Sequence, residues 1–156
     1  MTVILRPLAE ADLDHLFAWE NDRIAVQMAA FTRPDAGDRA AFDEHYRRIL
    51  ADPAIRIRAI EEDGVLAGSI AAFSSFGERE VTYWLDPSAW GRGVATAALR
   101  LLLAEEPTRP LFARVADGNP ASLRVLSKVG FAVVGEEVSW APGRGSDVRE
   151  WVLRLD

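Results

Sequence analysis

The chain has 156 residues, a length typical of one domain that buries most of its apolar surface on folding. Hydrophobic residues make up 49% of it and charged residues 27%, as in ordinary globular proteins. The absence of cysteine excludes disulfides, thiolate nucleophiles and thiolate metal sites. The formal net charge of −6 argues against nucleic acid as a partner and favours a cationic one.

The sequence also bears on location and metal binding. No apolar run approaches the length of a membrane span, and the first residues show no signal-peptide pattern. We therefore expect no membrane partner and a cytoplasmic protein, which the lack of cysteine also suits. The only histidines, His15 and His45, have no carboxylates at metal-ligand spacing, so no metal site is expected.

Hydrophobic periodicity predicts strands and helices along the first half of the chain. The Asp63-Gly64 pair is a hairpin signal, and a polar loop at 32–37 separates the first two helices. In chain order the predicted elements are a strand at 3–5, a helix at 9–19, a helix through 42–50, and strands at 55–58, 65–73 and 80–85.

The second half begins with a glycine-containing loop and continues with two helices and three strands. Asn119 is a natural helix N-cap, Pro120 suits the first helical position, and Gly130 is placed to end that helix. In chain order the predicted elements are a helix at 94–104, a strand at 111–115, a helix at 120–129, and strands at 131–140 and 148–155.

The loop at 90–96 has the features of an anion site. It follows a strand and opens a helix, whose first backbone N–H groups are unpaired and carry partial positive charge. Gly91 and Gly93 allow an anion close to the backbone, and Arg92 adds a full charge. These features predict a ligand that carries phosphate. An alternative is that the two glycines only turn the chain.

Two common phosphate loops do not fit this run. A nucleoside triphosphate loop requires Lys-Ser/Thr after its last glycine, but Val94 and Ala95 stand there. A dinucleotide fingerprint requires a third glycine where this chain has Thr96, and it belongs to a first βαβ unit. A different nucleotide-dependent enzyme is therefore a disfavoured alternative.

Two motifs carry a family resemblance. The run Trp90-Gly91-Arg92-Gly93-Val94-Ala95-Thr96 resembles the acetyl-CoA pyrophosphate loop of the GCN5-related N-acetyltransferase (GNAT) superfamily, and in particular the branch that acetylates ribosomal-protein N-termini. The segment from Asn119 to Phe131 is similar to that superfamily's Asn-x-x-Ser and Lys-x-Gly-Phe motif. The resemblance is clear over 65–131, and elsewhere the chain fits only in pattern.

The resemblance implies a fold as well as an activity. Residues 1–156 would form a single acetyl-CoA-dependent N-acetyltransferase domain, with acetyl-CoA as cosubstrate and a homodimer as a common state. The fold class would be α+β, or mixed α/β. Its three layers would contain a mostly antiparallel, twisted sheet of about seven strands with helices on both faces. The fourth and fifth strands would splay apart, and the pantetheine arm would lie between them.

The resemblance also implies candidate catalytic residues. An alkylamine with a pKa near ~10.4 is largely protonated at neutral pH, so its attack on a thioester requires a base. Glu80 matches the position of the superfamily's catalytic glutamate; the alternative is a solvated carboxylate at a strand end. Glu136 and Glu137 are reserve candidates. Ser122 matches the serine that the ribosomal-protein branch uses to protonate the leaving thiolate, although it would also suit a first helical turn.

One position departs from the superfamily. Leu126 occupies the place of the tyrosine that many members use as general acid. This departure leaves open a second function, a non-catalytic acyl-CoA-binding module. By the same resemblance, the predicted cofactor-binding residues are Trp84, Leu85, Trp90, Gly91, Arg92, Gly93, Val94, Ala95, Thr96, Asn119, Ser122 and Lys128.

The acceptor is defined least by the sequence. The resemblance implies a primary amine, either of a protein N-terminus or of a small molecule, bound by the first two helices and the last turn. Trp19, Trp140 and Trp151 are candidates for lining this pocket, although large aromatic residues are more often core. Acidic residues that would favour a cationic amine, or simply form solvated helix faces, are Glu20, Asp22, Asp35, Asp38, Asp43 and Glu44.

Overall fold

A computed structural model describes residues 1–156. Its elements, in chain order, are β1 (Val3–Pro7), α1 (Leu13–Glu20), α2 (Arg23–Ala29), α3 (Arg39–Ala51), β2 (Arg56–Glu62), β3 (Val65–Ser75), β4 (Glu78–Leu85), α4 (Val94–Glu105), β5 (Leu111–Ala116), α5 (Pro120–Lys128), β6 (Ala132–Ala141) and β7 (Ser146–Leu155). Short 3-10 turns precede α1 and the glycine loop.

All seven strands form one sheet in the order β1-β2-β3-β4-β5-β7-β6. Every neighbouring pair is antiparallel except β4 and β5, which are parallel and are connected by α4. This architecture confirms the mixed α/β fold class and the mostly antiparallel sheet.

Two hydrophobic clusters place helices on both faces of the sheet. Ala59 and Ile60 are consecutive in β2, so their side chains point to opposite faces. Ile60 packs in a cluster with residues of α4 and α5, whereas Ala59 packs with Leu16 of α1 and Phe42 of α3. The molecule therefore has three layers, with α4 and α5 on one face and α1 and α3 on the other.

The predicted splay lies between β4 and β5. These strands pair only at Arg79 with Leu111 and at Glu80 with Phe112. Beyond this point, residues 81–85 and 113–116 continue as strands without pairing to each other. Backbone groups that face the gap therefore have no strand partner, as the family resemblance implied.

A buried ion pair fixes the closed end of this gap. The Glu106 side chain is 3% exposed, and its Oε1 accepts hydrogen bonds from Nε and Nη2 of Arg79 at 3.1 and 2.9 Å. Arg79 also donates to the backbone oxygen of Ala54. Because Arg79 is the first β4 residue paired with β5, this cluster ties the start of the gap to the end of α4.

The predicted elements agree closely with the structure except in the first helical region. The expected helix at 9–19 is a 3-10 turn followed by α1, and helix α2 was not predicted at all. Asp22 is the N-cap of α2, and its side chain accepts a hydrogen bond from the backbone N–H of Ala25. None of the helices combines the length and the apolar character that crossing a membrane requires.

Candidate active site

The glycine loop has the geometry of an anion cradle. Gly91 and Gly93 adopt φ of 76° and 82°, a left-handed conformation that favours glycine. No atom lies within 4 Å of where a Cβ would stand at either position. Gly93 is the N-cap of α4 and has no side chain to cap the helix. The loop therefore opens a helix whose first N–H groups are available to a ligand.

The predicted cofactor-binding side chains in and near this loop differ in their exposure to solvent. Val94 is fully buried in the core and Ala95 is nearly so, so only their backbones are available to an anion. Arg92 is half-exposed, and its Nη2 lies 3.0 Å from Oε2 of Glu62 in β2. The predicted phosphate cation is thus paired with a carboxylate in this structure. Lys128 is exposed at the end of α5.

A small cavity beside the loop brings together several predicted cofactor-binding residues. It has a volume of about 120 Å³ and lies between α2, the end of β4 and the start of α5. We call it the Trp90 cavity. The predicted residues that line it are Trp84, Leu85, Trp90 and Asn119. Thr96 and Lys128 do not line it.

Asn119 has the local role that the sequence predicted. Its side chain accepts a hydrogen bond from the backbone N–H of Ser122 at 3.4 Å, and Pro120 is the first residue of α5. This cap fixes the first turn of α5 at the gap between β4 and β5. Asn119 also lines a second cavity, which lies within the gap itself.

This second cavity, the splay cleft, has a volume of about 290 Å³. Both predicted catalytic residues, Glu80 and Ser122, line it. Tyr83, Leu126 and Glu150 line it as well. The structure therefore brings the two predicted catalytic residues to one cleft, together with a tyrosine and a second glutamate that the sequence did not indicate.

The tyrosine is hydrogen-bonded to the predicted serine. Oη of Tyr83 in β4 lies 2.5 Å from Oγ of Ser122 in α5. Burial raises the pKa of Tyr83, and its hydrogen bond with Ser122 only partly offsets this effect. The phenol therefore keeps its proton at neutral pH and can donate it. Leu126 is almost fully buried in the main core cluster, so the superfamily's usual tyrosine position contributes an apolar wall here.

An arginine links the carboxylates on the other side of the cleft. Arg114 of β5 donates from Nε to Oε1 of Glu80 at 3.3 Å, and from Nη1 to Glu137 at 2.8 Å and Glu150 at 3.2 Å. The side chains of Glu80 and Glu150 are 12% and 15% exposed, whereas that of Glu137 is 60% exposed. The remaining reserve candidate, Glu136, is exposed and pairs with Arg149.

Glu150 has a perturbed environment. Burial raises its pKa above the ordinary value, and the hydrogen bond from Arg114 opposes that shift without cancelling it. A carboxylate with a raised pKa that faces a cleft is a candidate base. Glu150 and Tyr83 are thus the two candidate functional residues that sequence reasoning missed.

A third cavity, of about 430 Å³, lies between α3 and strands β2 to β4, on the face of the sheet that α1 and α3 cover. We call it the α3 cavity. It shares four lining residues with the splay cleft, namely Phe73, Thr82, Tyr83 and Trp84. The indole Nε1 of Trp84 is buried and has no hydrogen-bond partner. The α3 cavity and the splay cleft therefore adjoin at these shared side chains.

The predicted aromatic residues line neither the splay cleft nor the α3 cavity. Trp19 and Trp151 pack against core clusters, and Trp140 is 61% exposed on β6. The prediction that they line an acceptor pocket is wrong for the splay cleft and the α3 cavity. Phe73 lines both cavities instead, because it lies opposite Glu80 where β3 pairs with β4.

Comparison with known proteins agrees with this geometry. Residues 2–132 match the acetyltransferase (GNAT) domain family. The chain belongs to this family. The match covers most of the chain and includes the glycine loop, both strands that flank the splay cleft and α5, so the family resemblance of the two motifs is confirmed. A search of curated proteins returned no match.

Solved structures of GNAT proteins have the same fold. Spermidine N-acetyltransferase from Vibrio cholerae, in complex with CoA and spermine, is 22% identical over 97% of this chain and 95% of its own, with a TM-score of 0.80. A phosphinothricin acetyltransferase from Sinorhizobium meliloti, in complex with acetyl-CoA, is 20% identical over 99% and 88%, with a TM-score of 0.81. Ribosomal-protein-alanine N-acetyltransferase from Brucella melitensis is 23% identical over 97% and 98%, with a TM-score of 0.76.

Proposed function

We propose that this GNAT protein transfers an acetyl group from acetyl-CoA to a primary amine, either of a small molecule or of a protein N-terminus, in the cytoplasm. One observation carries the proposal. The gap between β4 and β5, which starts after Glu80 and extends to the end of β4 that precedes the glycine loop, contains a hydrogen-bonded Tyr83–Ser122 pair and two partly buried carboxylates. The similar folds of a spermidine N-acetyltransferase and a ribosomal-protein-alanine N-acetyltransferase support an amine acceptor.

The residues present fit acetyl-CoA. The open positions at Gly91 and Gly93 and the first N–H groups of α4 suit its diphosphate. Unpaired backbone groups of β4 and the side chains of Trp84, Leu85, Trp90 and Asn119 suit its pantetheine arm. Arg92 would contribute by turning from Glu62 toward the diphosphate. Acetyl-CoA supplies the activated acetyl group as a thioester.

The carboxylates of the cleft supply the base. The neutral amine nitrogen attacks the thioester carbonyl carbon, and the nitrogen then loses one proton. We assign that proton to Glu80, with Glu150 as the second acceptor across Arg114. A backbone N–H near Leu85 that faces the gap would stabilise the oxyanion, and such a donor in a water-poor cleft contributes about 10² to 10³ in rate.

The Tyr83–Ser122 pair supplies the acid. When the carbon–sulfur bond breaks, the thiolate takes a proton from Tyr83, whose pKa is raised by burial, and Ser122 orients the phenol. The argument for a non-catalytic acyl-CoA-binding module was that Leu126 replaces the usual tyrosine. Tyr83 of β4 places a phenol in the cleft, so the lack of a tyrosine at position 126 does not imply that the acid is missing. A homodimer stays a prediction.

Acetyl-CoA is expected to raise the melting temperature of the wild-type protein. Gly93→Ala is expected to raise the Kd for acetyl-CoA at least about tenfold, because a Cβ enters the cradle, and so to reduce this stabilisation. Gly77→Ala is the matched control. Gly77 has φ of 81°, against 82° for Gly93, and open space around its Cβ, but it lies in the β3–β4 turn. Thermal-shift titration measures both. Equal loss of acetyl-CoA affinity in the two variants, or stabilisation by ATP or NAD instead, would contradict the cradle.

Glu80→Gln and Glu150→Gln are each expected to lower kcat/KM about tenfold, because the other carboxylate remains, and the double variant further. Burial raises the pKa of Glu150, so its share of the activity is expected to appear as pH rises through a value above that of an ordinary glutamate. Release of free thiol from acetyl-CoA, followed against pH with a weakly basic amine, measures this. Glu136→Gln, which removes an exposed carboxylate, is the control. Unchanged kcat/KM in the double variant would exclude both as bases.

A further inference from the structure

The α3 cavity has an asymmetric distribution of charge. Nine of its 15 lining residues are hydrophobic, and none is lysine or arginine. Its charged groups are the carboxylates of Glu20 and Asp52. The third titratable side chain that could carry a charge is His45, and burial lowers its pKa, so it is neutral at neutral pH. The lining is thus mostly apolar and its only charged side chains are carboxylates, while the guanidinium of Arg33, outside the lining, lies close enough to lower the pKa of Glu20. The cavity volume of about 430 Å³ suits a small molecule.

Glu20 is the half-buried carboxylate of this cavity. It is the last residue of α1, and its Oε2 accepts a hydrogen bond of 2.6 Å from Oη of Tyr46. That is the only hydrogen bond the carboxylate makes, so Oε1 is left for a ligand. Arg33 lines a neighbouring cavity together with Glu20 and lowers the pKa of that carboxyl, but it makes no hydrogen bond or ion pair with Glu20 and does not line the α3 cavity. Burial raises the pKa of Glu20, and a bound cation would counter that cost.

Glu20 and the reacting groups line two adjoining cavities. Glu20 and Tyr46 line the α3 cavity but not the splay cleft. Glu80, Ser122 and Glu150 line the splay cleft but not the α3 cavity. An acceptor whose amine reacts beside Glu80 extends past the shared side chains of Phe73, Thr82, Tyr83 and Trp84. The rest of the molecule then lies in the cavity that Glu20 lines.

We propose that the α3 cavity binds a small acceptor with two amino groups joined by an apolar chain, one reacting in the splay cleft and the other held as an ammonium by Glu20. This inference rests on the proposed function and narrows its acceptor class. The apolar chain contacts Phe73 and Trp84, while the distal ammonium donates to the free oxygen of Glu20. A carboxylate at the distal position would face Glu20 with like charge.

The experiment compares three acceptors of equal chain length: an α,ω-diaminoalkane, a monoaminoalkane and an ω-amino acid. Thiol release from acetyl-CoA gives kcat/KM for each. The wild type is expected to prefer the diamine over the monoamine about tenfold, and to use the ω-amino acid least. Glu20→Gln is expected to lower the value for the diamine to that of the monoamine. Glu44→Gln, which removes the same charge from α3 outside the cavity, is expected to keep the wild-type order.

Two results would overturn the inference: wild-type protein that does not distinguish the three acceptors, or Glu20→Gln that lowers all three equally with an unchanged melting temperature. Failure of the proposed function looks different. If acetyl-CoA stabilises the protein but no amine releases thiol, calorimetric titration of the CoA complex with the diamine still tests whether the α3 cavity binds a diamine. Binding that Glu20→Gln abolishes supports the assignment of the cavity, and absence of binding by wild-type protein refutes it.

Discussion

Tyr83→Phe is expected to lower kcat for acetyl transfer about a hundredfold, at the low end of what general acid–base catalysis contributes. The phenol is the stronger acid of the Tyr83–Ser122 pair, and it lines the cleft where the thiolate departs. Burial raises the pKa of Tyr83, so the proton remains in place through neutral and mildly alkaline pH, and kcat is not expected to fall there through loss of the acid. Thiol release at saturating acetyl-CoA and amine measures the effect.

The serine of the pair provides the controls for this experiment. Ser122→Ala is expected to lower kcat only about tenfold, because Tyr83 still holds the proton that is donated. Ser127→Ala changes another serine of α5, one that is exposed and lies outside the cleft, and is expected to leave kcat unchanged. A large loss in Ser122→Ala together with wild-type kcat in Tyr83→Phe would show that the serine is the donor. Melting temperatures of all three variants separate catalysis from folding.

The glycine loop and the cap of α5 could be predicted because their causes are local. Two glycines between a strand and a helix indicate an open turn, and Asn119-Pro120 indicates a helix start, wherever the rest of the chain goes. The structure has both features at the predicted residues. The parallel pairing of β4 and β5 agrees with the predicted strand–helix–strand order, because parallel neighbours need a crossover connection, usually a helix. The early end of this pairing, which creates the splay cleft, could be predicted only from the family resemblance.

Tyr83 and Glu150 could not be found in this way because their partners are distant in sequence. Tyr83 meets Ser122 across 39 residues, and that contact depends on how α5 packs over the end of β4. Glu150 enters the cleft because β7 pairs with β5, which places it beside Arg114. A signal was present in each case: a tyrosine in the strand before the loop, and a glutamate among the apolar residues of the last strand.

The acidic residues of the first helices show the same limit. Composition predicted a cationic acceptor but could not distinguish among six carboxylates. Asp22 and Asp38 cap helices, while Asp43 and Glu44 pair with arginines of α3. Of the six, only Glu20 lines the α3 cavity, because the end of α1 lies beside Tyr46. Burial, which a single sequence does not specify, therefore separates the candidate acceptor-binding residue from the structural ones.

Glu106→Gln is expected to lower the free energy of unfolding by about 3 kcal/mol, because it leaves the guanidinium of Arg79 without its counterion in a site where Glu106 is 3% exposed. Burial alone would raise the pKa of Glu106, but hydrogen bonds from Thr108 and Arg79 outweigh it and lower the pKa from 4.5 to about 2. The stabilisation is therefore fully present above pH 4.5 and is lost as pH falls toward 2.

Urea unfolding of wild type and variant between pH 7 and pH 2 measures both the size and the pH dependence of this effect. The neighbouring Glu105→Gln is the matched control, because Glu105 is 36% exposed and pairs with Arg58 at 3.2 Å. It is expected to cost no more than about 0.5 kcal/mol. The difference in free energy of unfolding between wild type and Glu106→Gln should shrink below pH 4.5, where the stabilisation by the wild-type carboxylate begins to be lost.

Since Arg79 begins the pairing of β4 with β5, loss of its partner should also loosen the closed end of the cleft. Glu106→Gln is therefore expected to bind acetyl-CoA more weakly than Glu105→Gln. Equal destabilisation by the two variants would mean that Glu106 does not anchor this end of the gap.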